Sequence, residues 1–123
     1  MRIVYSSEKV KIQCSDYEET RKVFGGNRDL TDSFYEKFYY LQGARSLKEI
    51  YLIKRFRLHK LRNVGRSRLQ GYFAIDVKTR KEPWRIILQP LDDNMQPISH
   101  CDADRTAAFV KIIEIKEISK HYE

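Results

Sequence analysis

The apolar residues of this chain change their period partway along, and that change restricts the fold more than any bulk property does. Leu30, Phe34, Phe38 and Leu41 follow one another at spacings of four, four and three. That is one stripe of a helix, which Tyr35, Tyr39 and Tyr40 widen and Gly43 stops. From Arg55 onward the period becomes two. Phe56 and Leu58 alternate with Arg57 and His59, and Phe73, Ile75 and Val77 alternate with Tyr72, Ala74 and Asp76. Such alternation predicts strands with one buried face. Residues 84–91 and 109–118 read as two more.

Shorter signals fill in the rest. Ile3, Val4 and Tyr5, then Val10 and Ile12, are β-branched or aromatic and predict an opening strand. Ser15 and Glu18 have the spacing of a capping box, so a short helix is expected after them, ending at Gly25-Gly26. Ser46 and Glu49 repeat the pattern ahead of Tyr51 and Leu52. Residues 78–82 are short and polar, as a hairpin connection needs. Residues 92–105 are acidic and irregular and read as a surface loop. The order predicts one α+β domain over residues 1–123. An antiparallel sheet of three or four strands would carry two N-terminal helices packed on one face.

The 123 residues include 24 Lys and Arg against 17 Asp and Glu, a net charge of +7. Such a balance favours a polyanionic partner, nucleic acid being the commonest. No apolar run is long enough for a membrane span. Residues 1–14 are charged and lack the apolar core of a signal peptide. Cys14 and Cys101 are far apart and show no Cys-x-x-Cys spacing, so the expectation is a reduced, cytoplasmic protein without a disulfide framework. No phosphate-binding loop, dinucleotide turn or nucleophile elbow is present. His100, Cys101, Asp102 and Asp104 match no ligand spacing, so no metal or other cofactor is expected.

Residues 52–68 contain Lys54, Arg55, Arg57, Lys60, Arg62, Arg66 and Arg68 and no acid. That block suits phosphate binding, although lysine and arginine also guard the edges of ordinary sheets. His59 lies within it and on a strand shares a face with Arg57 and Leu61. The chain ends Lys120-His121-Tyr122-Glu123, which is read either as an acid–base tail or as a frayed terminus. Tyr72 is a stacking platform for a base or a packed sheet residue.

Three blocks together resemble a known family. Arg57-Leu58-His59-Lys60-Leu61 followed by Gln70-Gly71-Tyr72-Phe73-Ala74-Ile75 is similar to a Leu-His block and its following strand. Trp84-Arg85-Ile86-Ile87 resembles a Trp-Arg strand. Ile113-Glu114-Ile115 and the segment from Glu117 to Tyr122 resemble a closing strand and tail. The family is the HigB-like branch of the RelE/ParE toxins of type II toxin–antitoxin systems. The stretch Phe24-Gly25-Gly26-Asn27 and the surroundings of Cys14 also resemble one subgroup. Two features depart from the pattern: the segment between Leu61 and Gly71 is longer, and the tail reads Lys-His-Tyr where the family has Asp-Tyr-His.

The resemblance implies a RelE-like fold, cleavage of messenger RNA in the ribosomal A site without a metal, and neutralisation by a cognate antitoxin. It also implies that His59, Arg85, His121 and Tyr122 are catalytic. In that scheme His59 is the general base, Arg85 the phosphate stabiliser and His121 the general acid, with Tyr122 stacking or assisting proton transfer. Arg57, Lys60, Arg62, Arg66, Arg68, Tyr72 and Lys120 would bind RNA. Two other readings stay open: a relative that poisons DNA gyrase and cuts no RNA, because fold does not fix function, and a non-enzymatic RNA-binding module.

Overall fold

The structure, a computed structural model, describes residues 1–61, 71–98, 101–102 and 104–120. It is an α+β domain. Strands β1 (Arg2–Tyr5), β2 (His59–Lys60), β3 (Phe73–Asp76), β4 (Arg85–Leu91) and β5 (Ile112–Ser119) form one sheet in the order β1-β5-β4-β3-β2. Helices α1 (Glu8–Ser15), α2 (Tyr17–Val23), α3 (Arg28–Gly43) and α4 (Leu47–Tyr51) precede β2 in the chain.

The sheet differs from expectation in two ways. It has five strands among the described residues, and it is mixed. Strands β2 to β5 pair antiparallel, but β1 runs parallel to β5, with Arg2 opposite Ile112 and Tyr5 opposite Ile115. The chain's first strand lies at one sheet edge beside its last, which local alternation cannot reveal. Among the described residues there are also four α-helices where two were expected.

Val10 and Ile12 belong to α1 and not to the opening strand. Ser7 is extended and its hydroxyl accepts from the Val10 amide at 3.2 Å, which caps the helix and ends the strand before it. Val10 and Cys14, four residues apart, then share its buried side. The next cap is one residue later than the capping box suggested. Asp16 accepts from the Glu19 amide at 3.1 Å, while the Ser15 hydroxyl donates back to the Lys11 carbonyl at 2.7 Å. The Gly25-Gly26 stop is present: both residues have positive φ, and the Gly26 amide reaches back to the Arg21 carbonyl at 2.9 Å.

The strand expected from Phe56 is shortened. Lys54–Phe56 form a 3-10 turn, and Arg57 adopts a left-handed conformation with φ 52°, so pairing begins only at His59. Similarly, Ala107–Phe109 form a 3-10 turn and leave Phe109 exposed, so β5 starts at Ile112.

One core holds these parts together. Phe73, Ile75, Ile86, Leu88, Ile113 and Ile115 from the sheet meet Val10, Cys14, Phe34, Leu41 and Ile50 from the helices. Phe34 stacks on Phe38 with ring centroids 5.5 Å apart, and Phe24 meets Trp84 edge-on at 5.0 Å. Burying each of these three phenylalanine rings stabilises the fold by about 1.5–3 kcal/mol.

Candidate functional site on the second face of the sheet

Alternation sends every other strand residue away from this core. A separate small cluster forms there from Leu61, Ala74 and Ile87 with Tyr72 against it, and among the described residues no helix contributes to it. The pairing places side chains in rows across the strands. His59 is opposite Ala74, Ala74 opposite Ile87, and Ile87 opposite Glu117. His59 and Glu117 therefore end one row, about 14 Å apart over three strand spacings, with a small apolar floor between them.

A bulge determines what stands at the Glu117 end. The register of β4 against β5 shifts between Ile87 and Leu88: Ile87 pairs with Glu117 but Leu88 with Ile115, leaving Lys116 as the extra residue. A bulge of this kind brings two successive side chains towards one face. Lys116 reaches across to Tyr72, its Nζ 5.0 Å from the ring centroid, so a cation and a carboxylate from neighbouring positions border the same face.

The adjoining row is ionic. Asp76 is opposite Arg85, and Arg85 opposite Ser119. The Asp76 side chain is 2% exposed and lies between two guanidinium groups. Arg57 grips it with two parallel hydrogen bonds, Nε to Oδ2 and Nη2 to Oδ1, both 2.9 Å. Arg85 Nε lies 3.1 Å from Oδ1 but outside hydrogen-bonding geometry. Its other nitrogens donate to the carbonyls of Arg80 at 2.9 Å, of Trp84 at 2.8 Å and of Glu82, closing the turn between β3 and β4. Burial draws the Arg85 guanidinium below its usual range, against the opposing pull of Asp76.

His59 is half-buried beside this network. Its Nδ1 is 2.7 Å from the Arg57 carbonyl oxygen. A carbonyl can only accept, so Nδ1 carries the hydrogen and, in the neutral ring, Nε2 carries the lone pair. The ring is held by the backbone of the same arginine whose side chain holds Asp76.

The sequence-predicted residues thus separate into groups. His59, Arg57, Tyr72 and Arg85 share the second face. Arg85, however, is buried with its donors turned to backbone carbonyls and does not face solvent. Lys60 is opposite the core residue Phe73 and points to the other side, 3.4 Å from Asp102. Lys120 is exposed, with its Nζ 5.5 Å over the Trp84 ring. Arg62, Arg66, Arg68, His100, His121 and Tyr122 lie outside the described residues.

The basic block also acquires acid partners from distant parts of the chain. Arg55 pairs with Glu36 at 2.9 Å, Arg57 with Asp76, and Lys60 with Asp102. Asp76, Lys116 and Glu117 were not singled out by sequence reasoning. A signal for the last two does exist: the buried residues Ile113, Ile115 and Ile118 are spaced two and then three, and the extra residue marks the bulge.

Among the described residues no three His, Cys, Asp or Glu cluster as a metal site would require, and no helix is long and apolar enough to cross a membrane. Both cysteines are free and buried. Burial pushes the Cys14 thiol up to about 12 and also raises that of Cys101. No protein-family model, curated protein or solved structure matches this chain.

Proposed function

We propose that this chain is a RelE/HigB-type toxin, a ribosome-dependent endoribonuclease that cuts messenger RNA by acid–base chemistry. The observation that carries the reading is His59: an imidazole anchored through Nδ1, on a sheet face to which no helix contributes among the described residues and which also bears Tyr72, Lys116 and Glu117 around an apolar floor. The surplus of positive charge fits an RNA partner.

RNA brings its own nucleophile. His59 Nε2 takes the proton from a 2′-hydroxyl, whose oxygen attacks the adjacent phosphorus. The bond from phosphorus to the 5′-oxygen breaks, and that oxygen receives a proton from an acid. The products are a 2′,3′-cyclic phosphate and a 5′-hydroxyl, so protons and electrons balance without another reagent. Positioned acid–base groups of this kind contribute roughly a hundred- to ten-thousand-fold each.

The resemblance assigns the acid to His121, with Tyr122 beside it. Charge on the phosphorus falls to Lys116, with Arg62, Arg66 and Arg68 on flanking phosphates; Lys120 lies over Trp84 on the helix-covered side and is left out of this role. Arg85 acts through Asp76, because its own donors are engaged with carbonyls. Tyr72 offers its ring for stacking. The partners in this reading are message on the ribosome and a neutralising antitoxin, and the compartment is the cytoplasm.

Inducible expression in bacteria, with growth curves and primer extension on a reporter message, tests the proposal. New message ends that disappear in His59→Gln are expected. Intact messages together with arrested supercoiling would instead identify a gyrase poison. Undiminished activity after replacing both His59 and His121 would identify a non-enzymatic binder.

A further inference from the structure

We infer that Asp76 is a positioning residue for His59: by gripping the Arg57 side chain it holds the Arg57 carbonyl where that oxygen fixes the imidazole tautomer. The catalytic consequence rests on the nuclease reading; the tautomer does not.

The chain of contacts is short and directional. Asp76 is almost wholly buried, 2% exposed, so solvent screens it little. Its two oxygens each accept from Arg57 at 2.9 Å, in the fork geometry that fixes orientation as well as distance. Arg57 is one of two non-glycine residues with positive φ among those described, at 52°. An ordinary side chain avoids that region, and such a conformation persists only where the surroundings over-determine it. Here the Arg57 amide donates to the Lys54 carbonyl at 3.1 Å, and its guanidinium is clamped on Asp76. The left-handed turn points the Arg57 carbonyl at His59 Nδ1, 2.7 Å away.

A carbonyl held there selects one tautomer of the neutral ring, with hydrogen on Nδ1 and the lone pair on Nε2. A histidine in water favours the opposite form. Arg85 completes the arrangement from the other side, 3.1 Å from Asp76 and tied to the turn carbonyls. It helps to keep the carboxylate in place. A strained backbone, a buried acid and a tautomer-setting bond thus form one device on this face.

The test is nitrogen-15 correlation spectroscopy of the full chain, reading the tautomer of neutral His59, with its signals assigned by loss in His59→Gln. The Nδ1–H form should dominate in the wild type. In Arg57→Gly, which tolerates positive φ but lacks the fork, the population should shift at least several-fold towards Nε2–H. Asp76→Asn should shift it in the same direction, and circular dichroism should report a native fold for Arg57→Gly. A wild type already in the Nε2–H form overturns the inference, whatever the variants do. So does an unchanged tautomer in Arg57→Gly.

Message cleavage, measured in parallel, should fall at least ten-fold in Arg57→Gly. A tautomer shift in a wild type that cuts no RNA would sink the nuclease reading and leave the positioning role standing. Cleavage that persists at the wild-type rate despite the shift would remove the link between the tautomer and activity.

Discussion

The two faces of the sheet use the same strands to different ends. On the helix-covered face, Phe73, Ile75, Ile86 and Leu88 meet the helices through shape and apolar area alone. One residue out of phase, Ala74, Asp76, Arg85 and Ile87 build a face on which an apolar floor borders buried charge. Apolar packing tolerates exchange among side chains of similar volume. A buried charge does not: losing one partner leaves the other unpaired in a poor solvent. Substitutions on the covered face should therefore move stability alone. Those on the other face should divide, His59 changing activity only and Asp76 changing both.

The sharpest break between the faces is His59→Gln. It should lower the rate of message cleavage by about a hundred- to ten-thousand-fold, with the melting temperature nearly unchanged because the ring is only half-buried. Cleavage by primer extension on programmed ribosomes, set beside a thermal melt, checks both halves. Normal cleavage would remove His59 from the chemistry.

Phe34→Ala and Asp76→Ala form the next contrast. Phe34 is fully buried between Phe38 and Phe24, and its truncation should cost about 3–5 kcal/mol through lost burial and a cavity. Asp76→Ala strands Arg85 and should cost a similar amount, about 3–5 kcal/mol. Urea unfolding would show two comparable losses. Only the Asp76 variant should lose activity when both are assayed well below their melting points.

How far each face was legible in the sequence follows from the same difference. The α3 stripe and the Phe73, Ile75, Val77 alternation were readable because periodicity is a local property of burial. The parallel pairing of β1 with β5 was not, because it joins residues more than a hundred positions apart. The basic block looked uncompensated for a related reason. Glu36, Asp76 and Asp102 lie far from it in sequence and meet it only in the fold. His59 stood out from its neighbours and motif, but nothing local announced that a left-handed arginine would hold it. Arg85 stood out equally, and only the folded turn shows its donors committed to carbonyls.

Burial on the covered face also predicts a pH response. The Cys14 thiol is pushed from 9.0 up to about 12 by desolvation. The folded state therefore keeps a proton that the unfolded chain sheds above pH 9. The resulting stability is complete below pH 9 and declines as pH rises from 9 towards 12. Wild type should lose about 1 kcal/mol more than Cys14→Ala between pH 8 and pH 10, measured by urea unfolding at both values. Parallel slopes would mean that Cys14 ionises freely. Its native thiol should also resist alkylation at pH 8, because the thiolate is the reactive species.

The smallest effect belongs to the bulge. Lys116 lies over Tyr72 at 5.0 Å, and both side chains are partly exposed. Lys116→Ala should therefore cost only about 0.5–1 kcal/mol of stability. Its effect on RNA is different in kind. If the bulge turns Lys116 towards a phosphate, its loss should weaken binding to all sequences alike. The slope of log affinity against log salt should fall by about one contact's worth, roughly 0.7 for single-stranded RNA. Fluorescence anisotropy of a short labelled RNA across a salt series measures that slope. An unchanged slope would confine Lys116 to covering Tyr72.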